Sequence, residues 1–172
     1  IAVLDACASP AGMALDQRRR RLYVACPTDD EIQGIDVATG EIVEQMLQLA
    51  RRLGPEERLS QIVVMGMGEP LVNVEALLPA LAEASSDEGL AISPRRITIS
   101  TVGLPKGLER LVEREARYQL AVSLHAPDDA LRSTLVPVNK SIGLESILQG
   151  ADRYYETSGR RLTFEYVMLA GI

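Results

Sequence analysis

SQIVVMGMGEP at residues 60–70, RITISTVG at 96–103 and YQLAVSLHA at 118–126 are the strings whose reading decides the fold. Each opens on a short apolar or β-branched run and closes on Gly, Ser or Thr. Between the first and second lies a helix pattern over residues 72–84, with Leu77, Leu78 and Leu81 on one face. Between the second and third lies another over 105–115, with Leu108, Leu111 and Val112 directed inward. Downstream, a short helix is predicted at 128–135, a longer one at 144–157 and a last strand, LTFEYVML, at 162–169. Strands that alternate with helices make βαβ units, and therefore a parallel sheet carrying helices. Runs such as IVVM fit strands buried on both faces. The fold class is α/β.

Upstream the pattern differs. Residues 22–25 (LYVA) and 32–37 (IQGIDV) read as two short strands, and CPTDDE at 26–31 between them supplies turn residues. Ala38-Thr39-Gly40 reads as a second tight turn. Short strands joined by turns predict antiparallel β-structure. The switch near residue 40 predicts a hairpin segment over 1–39 and a parallel α/β unit over 40–172.

A chain of 172 residues can bury roughly 70% of the surface it exposes when unfolded, so a disulfide scaffold is not needed. Hydrophobic residues make up 47% and charged residues 24%, which excludes disordered, collagen-like and membrane-embedded classes. No apolar run approaches the ~20 residues of a membrane helix. The apolar residues 1–8 lack a basic start and a cleavage-like end, so no signal peptide is expected. Two cysteines, Cys7 and Cys26, suggest a reducing compartment and a cytoplasmic protein without membrane attachment. Eighteen basic against 24 acidic residues give a net charge of −6, a poor balance for free-standing nucleic-acid binding. Six aromatics, none of them Trp, offer few stacking platforms for bases.

Candidate chemistry gathers where the strands end. Gly66, Gly68 and Glu69 follow the first, Ser100 and Thr101 the second, and Ser123, Leu124 and His125 the third. In parallel α/β folds ligands sit at the carboxyl ends of strands, which puts these residues on one rim. The glycines let a ligand approach the backbone. Glu69 can hold an ammonium or a ribose hydroxyl, and the serines can donate hydrogen bonds. One such loop alone would be an ordinary turn; three in succession point to a site. A lone His is more often structural, so His125 is given a positioning role without titration. Other chemistry fails on spacing: there is no C-x-x-C pair, no zinc set, no complete dinucleotide fingerprint, no phosphate loop and no nucleophile elbow. The run Arg18–Arg21 reads as a solvated face or hairpin turn.

At these residues the chain resembles the RlmN/Cfr family of radical S-adenosylmethionine enzymes. The shared strings are GEIVEQ at 40–45, VVMGMGEPLVN at 63–73, ITISTVG at 97–103, LAVSLHAPDDALRSTLVPVNK at 120–140 and EYVMLAGI at 165–172. The resemblance implies an incomplete (β/α) barrel of radical S-adenosylmethionine type. It also implies methylation of C2 of an adenine in large-subunit 23S rRNA and in tRNA, with those RNAs as partners. By the same resemblance, S-adenosylmethionine contacts fall on Gly68, Glu69, Ser100, Ser123, Leu124 and His125. This is the rim that strand ends had already picked out.

The family also carries a C-x-x-x-C-x-x-C loop shortly before the GEIVEQ helix, whose three thiolates hold a 4Fe-4S cluster with one iron open to the cofactor. Residues 1–38 contain no such spacing, and the sequence ends at Ile172, before the family's C-terminal catalytic cysteine. The resemblance therefore implies a partial cofactor site in a chain expected to be inactive alone. In place of the cluster loop, residues 12–43 resemble one repeat of the YVTN-type β-propellers, with Cys26 where Asn is usual. Thr39–Val43 fits either a hairpin or a helix start. The alternative function is a non-catalytic interaction module, or a fusion remnant, built around that segment.

Overall fold

A computed structural model describes residues 12–16, 21–25, 38–66 and 68–171. Two strands, β1 (Gly12–Asp16) and β2 (Arg21–Ala25), pair antiparallel, with Gly12 opposite Ala25 and Asp16 opposite Arg21. The strand expected at 22–25 lies within β2. Its expected partner at 32–37, the turn at 26–31 and both cysteines lie outside the described residues.

Helix α1 (Thr39–Ala50) settles the ambiguous string: Thr39–Val43 is helical, not a hairpin. Thr39 and Gly40 suit a turn or a helix start equally, so the decision is tertiary. Ile42, Val43 and Met46, at helical spacing, pack against Ala80 and Ala84 of the next helix. The Glu41 carboxylate accepts from the Ala38 N–H at 2.7 Å and so satisfies one of the orphan donors of the first turn. This cuts short the propeller-like likeness, whose final strand would need residues 41–43 extended.

The remaining order is β3 (Ile62–Val64), a 3-10 turn (Pro70–Asn73), α2 (Val74–Ser85), β4 (Ile97–Thr101), α3 (Pro105–Glu113), β5 (Gln119–Ser123), α4 (Asp129–Leu135), α5 (Asn139–Ile142), α6 (Leu144–Ser158) and β6 (Leu162–Glu165). The four strands form a parallel sheet in the order β3-β4-β5-β6. Register places Val64 beside Ile99, Ile99 beside Leu120, and Leu120 beside Leu162. That row faces the helices. Val74, Leu77 and Leu81 of α2, Leu108 and Leu111 of α3, and Ile147, Ala151 and Tyr154 of α6 complete one core with it. Each fully buried aliphatic side chain contributes roughly 1.5–3 kcal/mol, so this layer outweighs the few exposed ion pairs such as Arg114–Glu75.

The other face differs from expectation. IVVM was expected to be buried on both sides, yet Val63 is 48% and Met65 65% exposed. Among the described residues the helices pack on one face only. The opposite face carries Thr98, Ser100, Gln119, Ala121, Ser123, Thr163 and Glu165, by the alternation of side chains along each strand. Tyr154 locks the covered side: buried to 1%, its hydroxyl donates to the Tyr118 carbonyl at 2.8 Å, and burial pushes its pKa up to about 12.

Two outcomes test this packing. A Cβ added at Gly107 in α3 would sit 2.4 Å from Leu71 Cβ, whereas one at Gly150 in α6 would meet the flexible end of Leu108 at 2.8 Å. Gly107→Ala is therefore expected to cost about 1–3 kcal/mol despite the helical advantage of alanine, and Gly150→Ala to lie within about 1 kcal/mol of the parent, by urea-unfolding midpoints. Because the Tyr154 hydroxyl titrates higher folded than unfolded, its stabilisation is complete below pH 10.0 and declines as pH rises toward about 12. Tyr154→Phe should flatten that alkaline loss in unfolding curves taken at stepped pH.

Candidate functional site

The carboxyl ends of β3, β4 and β5 meet on one rim. Glu69, following β3 and capping the 3-10 turn, reaches across to β4. Its Oε1 accepts from the Leu71 N–H at 3.0 Å and from the Thr101 hydroxyl at 2.5 Å. Its Oε2 accepts from the Val102 N–H at 2.9 Å. A carboxylate has about four acceptor directions, so these three donors leave one on Oε2. Thr101 is 3% exposed and in turn accepts from the Gly103 N–H at 2.9 Å. Gly103 has φ +89°, and a Cβ there would lie 2.6 Å from Ile147. The tight turn after β4 thus needs glycine, both for its dihedral and for the approach of α6. Gly68 stands open, with nothing within 4 Å of where its Cβ would be.

The end of β5 is tied on two sides. The Leu124 and His125 N–H groups both donate to the Glu165 carbonyl of β6, at 3.0 and 3.3 Å. The Ser123 hydroxyl donates to Glu165 Oε2 at 3.3 Å, and the Val167 N–H donates to His125 Nδ1 at 3.3 Å. His125 has φ +62°, a left-handed conformation that is uncommon for a non-glycine residue and clusters at functional sites. With Nδ1 accepting, the arrangement requires the proton on Nε2. Ser100 lies half-buried on the sheet face that the helices leave uncovered, beside Ala121 in register.

Beneath this rim is Arg132 of α4, fully buried. Its Nε donates to the Leu124 carbonyl at 2.9 Å, and one terminal nitrogen donates to the Ser123 carbonyl at 2.8 Å and the Val102 carbonyl at 2.9 Å. The other donates to Asn139 Oδ1 at 2.6 Å. Asn139 Nδ2 donates to Asp129 Oδ1 at 2.9 Å, which also receives the Leu144 N–H at 2.8 Å. Burial pulls the guanidinium pKa below its ordinary value, and an arginine stays charged nonetheless. The hydrogen bonds from Asn139 and Leu144, and more weakly the Arg132 charge, hold the Asp129 carboxyl below its ordinary 3.8. Asp128 caps α4, accepting from the Leu131 N–H at 2.8 Å, and so fixes where Arg132 starts its reach.

All six residues expected at the site therefore lie on this rim or its approach, and Glu165, Thr101, Arg132, Asn139 and Asp129 join them. Glu165 had a signal: in LTFE the alternation puts Thr163 and Glu165 on the uncovered face. Arg132 had little, since an arginine after two aspartates on a short helix reads as solvated. Among the described residues no group of three His, Cys, Asp or Glu is placed to hold a metal ion. Nor is any helix among them long and apolar enough to cross a membrane.

The acid limb of stability follows from Asp129. A carboxyl whose folded pKa is depressed adds stability above its unfolded pKa, lost as pH falls below 3.8 toward the folded value. Asp129→Asn should flatten that loss in unfolding midpoints measured between pH 5 and pH 2, because the variant already lacks at neutral pH the stability that the parent loses in acid.

No protein-family model matches the chain. Curated relatives do. It is 62% identical over 143 residues to the probable dual-specificity RNA methyltransferase RlmN of Rhodopirellula baltica, covering 82% of this chain and 38% of that protein. To the corresponding protein of Desulforudis audaxviator it is 43% identical over 137 residues, covering 80% and 42%. The crystal structure of a radical SAM methyltransferase from Sphaerobacter thermophilus superposes with a TM-score of 0.73 at 42% identity, over 79% of this chain and 40% of that one. The chain thus spans about two fifths of the length of these relatives. In sequence and fold, the matched part of the chain belongs to the RlmN-type radical SAM methyltransferase family.

Proposed function

We propose that the rim is the S-adenosylmethionine site of an RNA methyltransferase barrel, held by Gly68, Glu69, Ser100, Ser123, Leu124 and His125. The observation that carries this reading is convergence. Three strand ends that are remote in sequence meet above an uncovered polar sheet face, and each is already fixed by hydrogen bonds to its neighbours. The donor set suits the ligand. The remaining acceptor direction of Glu69 fits an ammonium or hydroxyl, the Gly68 backbone admits close approach, and Ser100 and His125 Nε2–H supply donors. When bound, the cofactor supplies a sulfonium and a transferable methyl group. The protein's part is to orient it, with Glu69 held in place by its three donors and His125 held in one tautomer.

For the intact enzyme the family suggests methylation of C2 of an adenine in 23S rRNA and in tRNA, in the cytoplasm. The 4Fe-4S cluster is a different matter. Three thiolates are needed and the sequence has two cysteines, neither in the family's spacing. These residues do not fit the cluster, and we infer that this polypeptide performs no methylation on its own. In this reading residues 40–172 form the partial barrel core and residues 1–39 are a separate segment of the sequence.

Calorimetric titration of the purified chain with S-adenosylmethionine tests the site. The chain should bind, Ser100→Val should weaken binding about tenfold, and Glu69→Gln should weaken it more while leaving the fold intact. An affinity unchanged by both substitutions, or no heat at all from the parent chain, would overturn the assignment.

A further inference from the structure

We infer that Arg132 is the positioning residue of the rim: through the carbonyls it binds, it sets the conformation and tautomer of His125. Its place in the site rests on the cofactor reading above, but its action on His125 does not. A fully buried arginine commonly meets a carboxylate, because burying a charge without compensation is costly. Arg132 instead gives its planar array of donors to three main-chain carbonyls and one amide oxygen. Two of those carbonyls, Ser123 and Leu124, belong to the two residues just before His125. The third, Val102, follows the N–H that Glu69 holds. One guanidinium thereby joins the ends of β4 and β5, and no helix or sheet bond could do so, since both strands have ended there.

The consequence reaches the imidazole through the backbone. The Ser123 and Leu124 carbonyls turn toward Arg132, and each shares a trans peptide unit with the next N–H, so the Leu124 and His125 N–H groups point the opposite way, to the Glu165 carbonyl. That combination leaves His125 in its left-handed conformation, from which Nδ1 meets the Val167 N–H. Left-handed geometry at a non-glycine residue is strained and persists only where the surroundings over-determine it. The two bonds of Arg132 to the Ser123 and Leu124 carbonyls are the part of those surroundings that does so from below. Asn139 holds the guanidinium from the far side and is itself fixed by Asp129 and by Ser133 Oγ, at 2.9 and 3.1 Å.

His125 is the single histidine of the chain, so its imidazole nitrogens give unambiguous NMR signals. Nitrogen-15 long-range correlation spectra at pH 8, without ligand, should show the Nε2–H tautomer in the parent. Arg132→Lys keeps a charge in the cavity but cannot present the same planar array, and should remain folded. Arg132→Met removes the donors, and Ala130→Gly serves as a control on the same short helix. We expect Arg132→Lys and Arg132→Met to give a mixed or reversed tautomer while core methyl signals stay dispersed, with the control unchanged. Cofactor affinity should fall at least tenfold in Arg132→Lys, and part of it should return to Arg132→Gly on adding millimolar guanidinium. A folded Arg132→Lys protein with the parent tautomer would overturn the positioning role, whatever its ligand affinity. The tautomer shift without cofactor binding by the parent would support the positioning role and overturn only the cofactor reading.

Discussion

The rim depends on one buried cation. Parallel strands end without a turn to join them, so their terminal carbonyls and amides need partners from elsewhere. Arg132 provides them for β4 and β5 from below, and Glu69 provides them for β4 from the side of β3. Remove the guanidinium and three carbonyls lose their donor in a setting that water reaches poorly. The cost of leaving such groups unpaired, about 1–3 kcal/mol each, exceeds what any exposed ion pair here returns. Asn139 and Asp129 keep the guanidinium in place, which is why an otherwise ordinary loop after α4 carries so many hydrogen bonds.

The sheet beneath is asymmetric in a way that suits this arrangement. One face is a dense aliphatic layer under α2, α3 and α6, which fixes strand register and therefore the relative height of the strand ends. The other carries small and polar side chains, with Val63 of the edge strand beside them, and stays uncovered among the described residues. A ligand resting there meets hydroxyls and a carboxylate without displacing core contacts. Rigid support on one side and open polar surface on the other suit the proposed role of holding a charged cofactor in one pose.

Much of this was legible in the sequence. Hydrophobic periodicity located β3 to β6 and α2, α3, α4 and α6 within a few residues, because burial on one helical layer leaves a strong signature. The family strings and the strand-end glycines and serines found the rim. Three features were hidden. Thr39 and Gly40 read equally as turn or helix start, and only the packing of Ile42 and Met46 on α2 decides between them. The strand read over 162–169 ends at Glu165, since β5, its one neighbour, stops at Ser123 and the next two amides both turn to the Glu165 carbonyl. Arg132 gave no signal of burial because its acceptors are mostly main-chain atoms, which have no letter in a sequence.

These hydrogen bonds set the rim before any ligand arrives. Amide hydrogen exchange of the ligand-free protein addresses this directly, residue by residue. The Val102, Leu124 and His125 amides, which donate to Glu69 and to the Glu165 carbonyl, should exchange nearly as slowly as the Ile99 and Leu120 amides of the core strands. If they exchange as fast as amides in exposed loops, the rim is not preorganised and the account given for Arg132 and Glu69 is wrong.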